Sequence, residues 1–167
     1  MAAPGDCFAP TLYSFTNEAD METRTMTDDQ RKAVALEYLR RLDRGAPFFD
    51  LFDDHAEVYF PKWGIATGRA AFEKLFADLG TVVAKFKHDL AYLNVIQQGD
   101  LVVVEGTSYG TTHNGVDWRA GVTHAGRWCD VFEIRDFRIQ RCFIYLDPDY
   151  EDADTARYPW LEATRPA

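Results

Sequence analysis

The 167-residue chain is 47% hydrophobic and 14% aromatic, enough apolar material for one domain with a substantial core. Its formal net charge of −9 argues against nucleic acid or an anionic membrane surface as a partner. No apolar run approaches the roughly 18–20 residues of a membrane span, and the opening MAAPGDCFAP lacks the basic start and apolar core of a signal peptide.

Residues 1–26 carry Pro4 and Pro10 without clear periodicity and read as an N-terminal extension lying along the domain or along a partner subunit. A helix then starts sharply: Thr27 is the N-cap, Asp28 and Asp29 suit the first turn, and Gln30 completes a capping box. Val34, Leu36, Tyr38, Leu39 and Leu42 populate its apolar side until Gly45 stops it. Phe48 to Phe52 reads as a short apolar helix or turn, and Ala56 to Phe60 as a strand ended by Pro61. The segment KWGIATG crosses to a second helix, Arg69 to Leu79, with Phe72, Leu75, Phe76 and Leu79 in helical spacing. Trp63 in that crossing is either a lid over a pocket or a packed loop residue.

From Phe86 onward the pattern predicts four strands, 87–97, 100–112, 117–134 and 138–146, with hairpin turns at Gln98-Gly99-Asp100 and His113-Asn114-Gly115. Asp136-Phe137 is a less typical turn pair and suggests a bulge in the last hairpin. Residues 151–167 form an acidic tail whose Tyr158 and Trp160 predict docking rather than free solvation. With no internal repeat or linker, one domain spans residues 27–150. The element order predicts an α+β fold, helices packed on the concave face of a bent antiparallel sheet with a pocket at its open end.

The last hairpin carries the sharpest functional signal. On its first strand Trp128, Asp130, Phe132 and Ile134 share one face, and on its second Cys142, Ile144 and Leu146 do. Asp130 is the one carboxylate on that apolar face, so it is paired, protonated or facing a cavity. It is the first catalytic candidate, its structural alternative being a buried acid that only fixes the fold. His88, sharing a face with Leu90, Tyr92 and Ile96, is a candidate proton shuttle placed to pair with Asp130, or a structural histidine. Glu105 is a second cavity acid or an outer-face partner of Arg119, and Asp147 is a turn acid. Cys7, Cys129 and Cys142 have no metal-type spacing, with Cys129 and Cys142 on opposite faces, so reduced thiols in a cytoplasmic protein are expected. Without a nucleotide-binding glycine motif, nucleophile elbow or metal cluster, the expected chemistry uses no cofactor and no metal.

Four segments resemble a known family: EYLRRLDRG, DLFDDHAEVYFPKWG, GRAAFEKLF and GRWCDVFEIRDFRIQRCFIYLDPDY. Over about residues 27–150 the chain resembles the nuclear-transport-factor-2-like superfamily, especially its SnoaL-like, ketosteroid-isomerase-like and scytalone-dehydratase-like branch. The resemblance implies a cone-shaped, curved antiparallel sheet wrapped by N-terminal helices around a pocket. By position, Tyr38 matches the first-helix tyrosine and Asp130 the protonated late-strand aspartate that serve ketosteroid isomerases as oxyanion donors. Phe60 occupies the place of the general base of those enzymes, which disfavours their reaction. Ile144 aligns with the late-strand acid of limonene epoxide hydrolases, which disfavours theirs. His88 falls where scytalone-dehydratase-like members place a cavity histidine, and His124 is a conceivable partner.

The resemblance and the residues together imply a cofactor-independent acid–base enzyme acting on a hydrophobic small molecule by isomerisation, dehydration or aldol-type cyclisation. Its catalytic residues are Asp130, His88 and Tyr38, and its pocket walls are Phe60, Trp63, Tyr92, Trp128, Phe132 and Ile144. The alternative is a non-catalytic small-molecule-binding or dimeric assembly module of the same fold. The resemblance also implies a homodimer through the outer sheet face, including Val131, Phe143 and Tyr145.

Overall fold

The computed structural model describes residues 25–154. The expectations for the N-terminal extension, Cys7, Tyr158 and Trp160 lie outside the described residues. Helix α1 spans Asp28–Arg44 and opens with the expected capping box: Gln30 N–H donates to Thr27 Oγ1 at 3.2 Å and Thr27 N–H to Gln30 Oε1 at 2.8 Å. It ends at Gly45, whose φ of 64° lets its N–H reach back to the last turn. Ala35, Tyr38 and Leu39 form its buried side. A 3-10 turn at Phe49–Leu51 leads into β1 (Phe52–Phe60), then β2 (Gly64–Thr67) and helix α2 (Arg69–Leu79). Six further strands follow: β3 (Val83–His88), β4 (Asn94–Gln98), β5 (Leu101–Thr112), β6 (Asp117–Arg119), β7 (Arg127–Arg135) and β8 (Arg138–Leu146).

The strands make one curved, open, mixed sheet in the order β2-β1-β8-β7-β5-β3, with β4 and β6 also paired to β5. The α+β architecture is the expected one, with a correction to its strand directions. β1 runs parallel to β8, Tyr59 standing opposite Phe143, while the other pairs are antiparallel. No hairpin joins β1 to β8; α2 and the strands between them form a long crossover, which a parallel pair requires. β2 lies in what the sequence reads as a plain crossing, because a tight turn at Lys62 folds Gly64 back against Phe60.

Two expected strands are each broken. The predicted strand 87–97 divides into β3 and β4, separated by residues 89–93, and 117–134 divides into β6 and β7, separated by 120–126. Both breaks flank β5 at the same level. β7 pairs with residues 101–107 of β5 and β6 with 109–111; β4 pairs with 101–105 and β3 with 108–112. The last hairpin turns on Asp136 and Phe137, both at positive φ, as a two-residue primed turn demands. The pairings Ile134–Ile139 and Glu133–Arg141 leave Gln140 as one extra residue, a bulge next to that turn.

The helices cover the inner face through an aromatic cluster. The Tyr38 ring meets Phe48, Phe52 and Phe132 edge-on at 5.3–5.8 Å between centroids, and Phe72 packs on Phe52 at 4.5 Å. Edge-to-face pairs add about 0.5–1.5 kcal/mol each beyond their buried area. At the other end of α1, Arg31 donates to the Met26 carbonyl and to Asp100 Oδ1, each at 2.7 Å, fixing the helix start to the β4–β5 turn.

β5 carries Gly106 and Gly110 on its inner face, each opposite a tryptophan: Trp128 on β7 and Trp118 on β6. A Cβ at residue 110 would stand 2.0 Å from the Lys85 carbonyl oxygen and 2.6 Å from Trp118 Cζ2. Backbone cannot yield as a flexible side chain does, so Gly110→Ala must part β3 from β5. The expected loss is about 2–3 kcal/mol or more in a urea titration. A change under about 0.5 kcal/mol, the scale of an ordinary surface substitution, would contradict this packing.

Candidate active site

Between α1, α2 and the inner sheet face lies a cavity of about 130 Å³. That is close to the roughly 150 Å³ apolar cavity known to admit benzene, so the space is about the size of one aromatic ring. Tyr38, Phe60, Phe76, Phe86, Ile144 and Leu146 supply apolar wall, and the polar side chains His88, Ser108, Trp118, Trp128, Asp130 and Tyr150 also line it.

Asp130 is on the inner face of β7, 4% exposed, opposite Val104 on one side and Ile144 on the other. Its Oδ1 has no hydrogen-bond partner among the described residues. Burial raises its carboxyl from the ordinary 3.8 to about 8. At neutral pH the group is therefore largely a neutral acid and a hydrogen-bond donor. Tyr38 reaches the cavity from α1 and is 1% exposed; burial, then Cys142 and Asp130, push its phenol well above the ordinary value. It too is a donor at every physiological pH.

His88 ends β3 directly opposite Ser108 of β5. It does not pair with Asp130. Its Nδ1 lies 2.7 Å from Asp43 Oδ1, and its backbone N–H donates to the same carboxylate at 3.1 Å. A carboxylate only accepts, so Nδ1 carries a proton toward Asp43, which puts the lone pair of a neutral imidazole on Nε2. The Trp128 ring meets the imidazole edge-on at 5.0 Å. Asp130 and His88 stand at different levels of the sheet, opposite Val104 and Ser108 respectively, with Trp128 at the level between them. That offset is why the two share a cavity without touching.

The sequence-derived walls divide. Phe60, Trp128 and Ile144 line the cavity. Phe132 sits in the core beneath Tyr38 instead, fully buried. Trp63 is 42% exposed and lies by Lys74, whose ammonium is 5.2 Å from its ring; Tyr92 is 82% exposed. Tyr92 shared a face with His88 only if residues 87–97 formed one strand, and the break at 89–93 undoes that alternation. Glu105 is on the outer face, accepting from Asn94 Nδ2 at 3.1 Å.

Asp43, Ser108 and Trp118 escaped the sequence reading. Asp43 left a trace, because an acid in the last turn of a helix opposes the macrodipole and calls for another partner. Gly106-Thr107-Ser108-Tyr109-Gly110 has the G-x-S-x-G spacing of a nucleophile elbow, but it runs inside β5 rather than through a strand-to-helix turn. Its glycines make room for indoles. His124 is outside the cavity lining and joins Asp149 and Asp152 in a group of possible metal-ligand atoms within 4.8 Å of one another. Those carboxylates already accept backbone N–H groups: Asp149 from Ala153 and Asp154, and Asp152 from His124. They clasp the chain after β8 to the β6–β7 loop.

The raised Asp130 value fixes a sign. Below about pH 4 the carboxyl is protonated folded and unfolded, and contributes no pH dependence. Between about 4 and 8 the unfolded chain releases the proton while the folded one keeps it, so this group lowers stability as pH rises, by on the order of 5 kcal/mol in total. Relative to wild type, Asp130→Asn should therefore melt higher at pH 8 than it does at pH 5. Equal melting shifts at the two pH values would show that Asp130 does not titrate in this window.

Among solved structures, the chain is similar to TerC co-crystallised with polyporic acid: 18% identity, TM-score 0.61, covering 80% of this chain and 98% of that one. An NTF2-like protein of unknown function from Burkholderia pseudomallei K96243 matches at 16% identity and TM-score 0.63, covering 79% and 97%. A Xanthomonas campestris pv. campestris protein provisionally assigned as a polyketide cyclase matches at 16% identity and TM-score 0.63, covering 72% and 92%. At these identities the likeness is one of fold. No curated protein sequence matches significantly. The model of the SnoaL-like domain matches residues 35–142, most of the described chain, and the protein belongs to that family.

Proposed function

We propose that the protein is a cofactor-independent acid–base enzyme acting on an apolar, ring-bearing small molecule, with His88 as the base. The observation that carries this is the Asp43–His88 contact at 2.7 Å beside a cavity lined by His88 and by Asp130, whose Oδ1 has no partner among the described residues. Asp43 holds the imidazole tautomer and stabilises the imidazolium formed when Nε2 takes a proton. The neutral Asp130 and Tyr38 donate to a ligand oxygen as charge builds on it, which supports an enolate-like intermediate. Isomerisation, dehydration and aldol-type cyclisation all pass through such a species, and the polyketide-cyclase neighbours favour the last.

Proton abstraction can be read without the natural substrate. In D2O, the protein should accelerate α-hydrogen exchange of 2-tetralone, followed by proton NMR, above the buffer rate. His88→Ala should lose about 10²-fold or more of that acceleration, and Asp43→Asn a smaller part. Exchange at the buffer rate by protein saturated with the ketone would instead favour the non-catalytic binding module.

A homodimer through the outer sheet face accompanies this reading. Register places Ile65, Tyr59, Phe143, Val131, Val103 and Ile96 in one row across six strands on that face. Tyr145 extends the patch, 5.7 Å from Tyr59. An uninterrupted apolar row of this kind is unusual on a monomer. Light scattering at micromolar concentration should give twice the 19.1 kDa chain mass, and Phe143→Glu should return it to one. A wild-type mass of one chain would contradict the dimer.

A further inference from the structure

We propose that the indole N–H groups of Trp118 and Trp128 are hydrogen-bond donors to the ligand, which makes the ligand an aromatic molecule with an acceptor oxygen toward each end. This rests on the cavity being a ligand site, and not on turnover there.

Both side chains line the cavity, are about nineteen-twentieths buried, and leave Nε1 with no partner among the described residues. A buried donor left unpaired forfeits its hydration with nothing in return, and native interiors seldom tolerate one. Here two such donors and Asp130 Oδ1 all belong to side chains that line one cavity. Phenylalanine would fill either place without that cost, so packing alone does not account for tryptophan at both.

The indoles are also held by matched devices. Trp128 lies against Gly106 and Trp118 against Gly110, where an added Cβ would stand 2.6 Å from the Cζ2 of either ring. Trp118 is backed by Tyr150 at 4.9 Å between centroids, and Trp128 by His88 at 5.0 Å. Four residue steps along the strand separate the two glycines, roughly 13 Å. Ser108 lies between them, with His88 opposite it. An indole donates and does not accept, so its complement is a carbonyl, ether or phenolate oxygen. A ring with an oxygen at each end spans the two donors and presents its middle to His88.

The probe pair is 1,4-diacetylbenzene and 1,4-diisopropenylbenzene, nearly identical in shape, with each carbonyl oxygen replaced by a methylene in the second. Wild-type protein should bind the diketone about tenfold or more tighter by calorimetry. Trp118→Phe and Trp128→Phe should each weaken diketone binding about fivefold, the size of one net hydrogen bond, and leave diene binding unchanged. Should a variant fail to fold, the Nε1–H resonances of the wild-type tryptophans decide: both should move with the diketone and not with the diene. Equal wild-type affinity for the two probes, undetectable binding of both included, overturns the proposal, as does an equal loss for both probes in the variants or indole resonances that do not distinguish them. The probes are read by binding and the α-hydrogen exchange by turnover, so a failure of the acid–base reading and a failure of this one are told apart.

Discussion

The structure depends on how β5 is allowed to bend. A long strand paired along both edges resists bending, and here both edges are interrupted at the same level, where β4 gives way to β3 and β7 to β6. Glycines at 106 and 110 remove the side chains that would fill the inside of that curve, and two indoles take their place. The cavity follows from this arrangement. Without the breaks, β5 would sit in a flatter sheet, and the helices would close on it as an ordinary two-layer core.

The protein keeps three acidic side chains in three different states of compensation. Asp43 has an imidazole and a backbone N–H. Asp149 has two backbone N–H groups in the clasp after β8. Asp130 has apolar strand neighbours and, for Oδ1, no partner among the described residues. The first fixes an imidazole, the second holds a wall in place through the adjacent Tyr150, and the third stays protonated into the neutral range. Same side chain, three environments, three roles: desolvation and hydrogen bonding decide which one each residue takes.

The regular elements were legible in the sequence because each is specified locally. Thr27 with Gln30 and Gly45 bound α1, and the alternation of Trp128, Asp130, Phe132 and Ile134 put Asp130 on the inner face. The breaks at 89–93 and 120–126 were not, because they answer to a neighbouring strand rather than to their own composition. Losing them mislaid Tyr92, which alternation along an unbroken strand carries to the inside. It also hid Trp118, whose position follows only once β6 is a separate strand. The pairing of His88 could not be read either, since Asp43 is 45 positions away and the pair is made by the docking of α1 on β3.

Helix α1 has a further consequence, because it acts as a ruler. Its start is fixed by the capping box and by Arg31 on Asp100; its end is fixed by Gly45. Between them its 17 residues rise roughly 25 Å, which sets Asp43 beside His88. One residue added or removed would turn Asp43 by about 100° about the helix axis and carry it off the imidazole, while most of the apolar stripe could still find something to bury against. Length variation that leaves the fold intact can thus erase the Asp43–His88 pair, and a relative whose first helix differs by one residue would need a differently placed acid to hold its histidine.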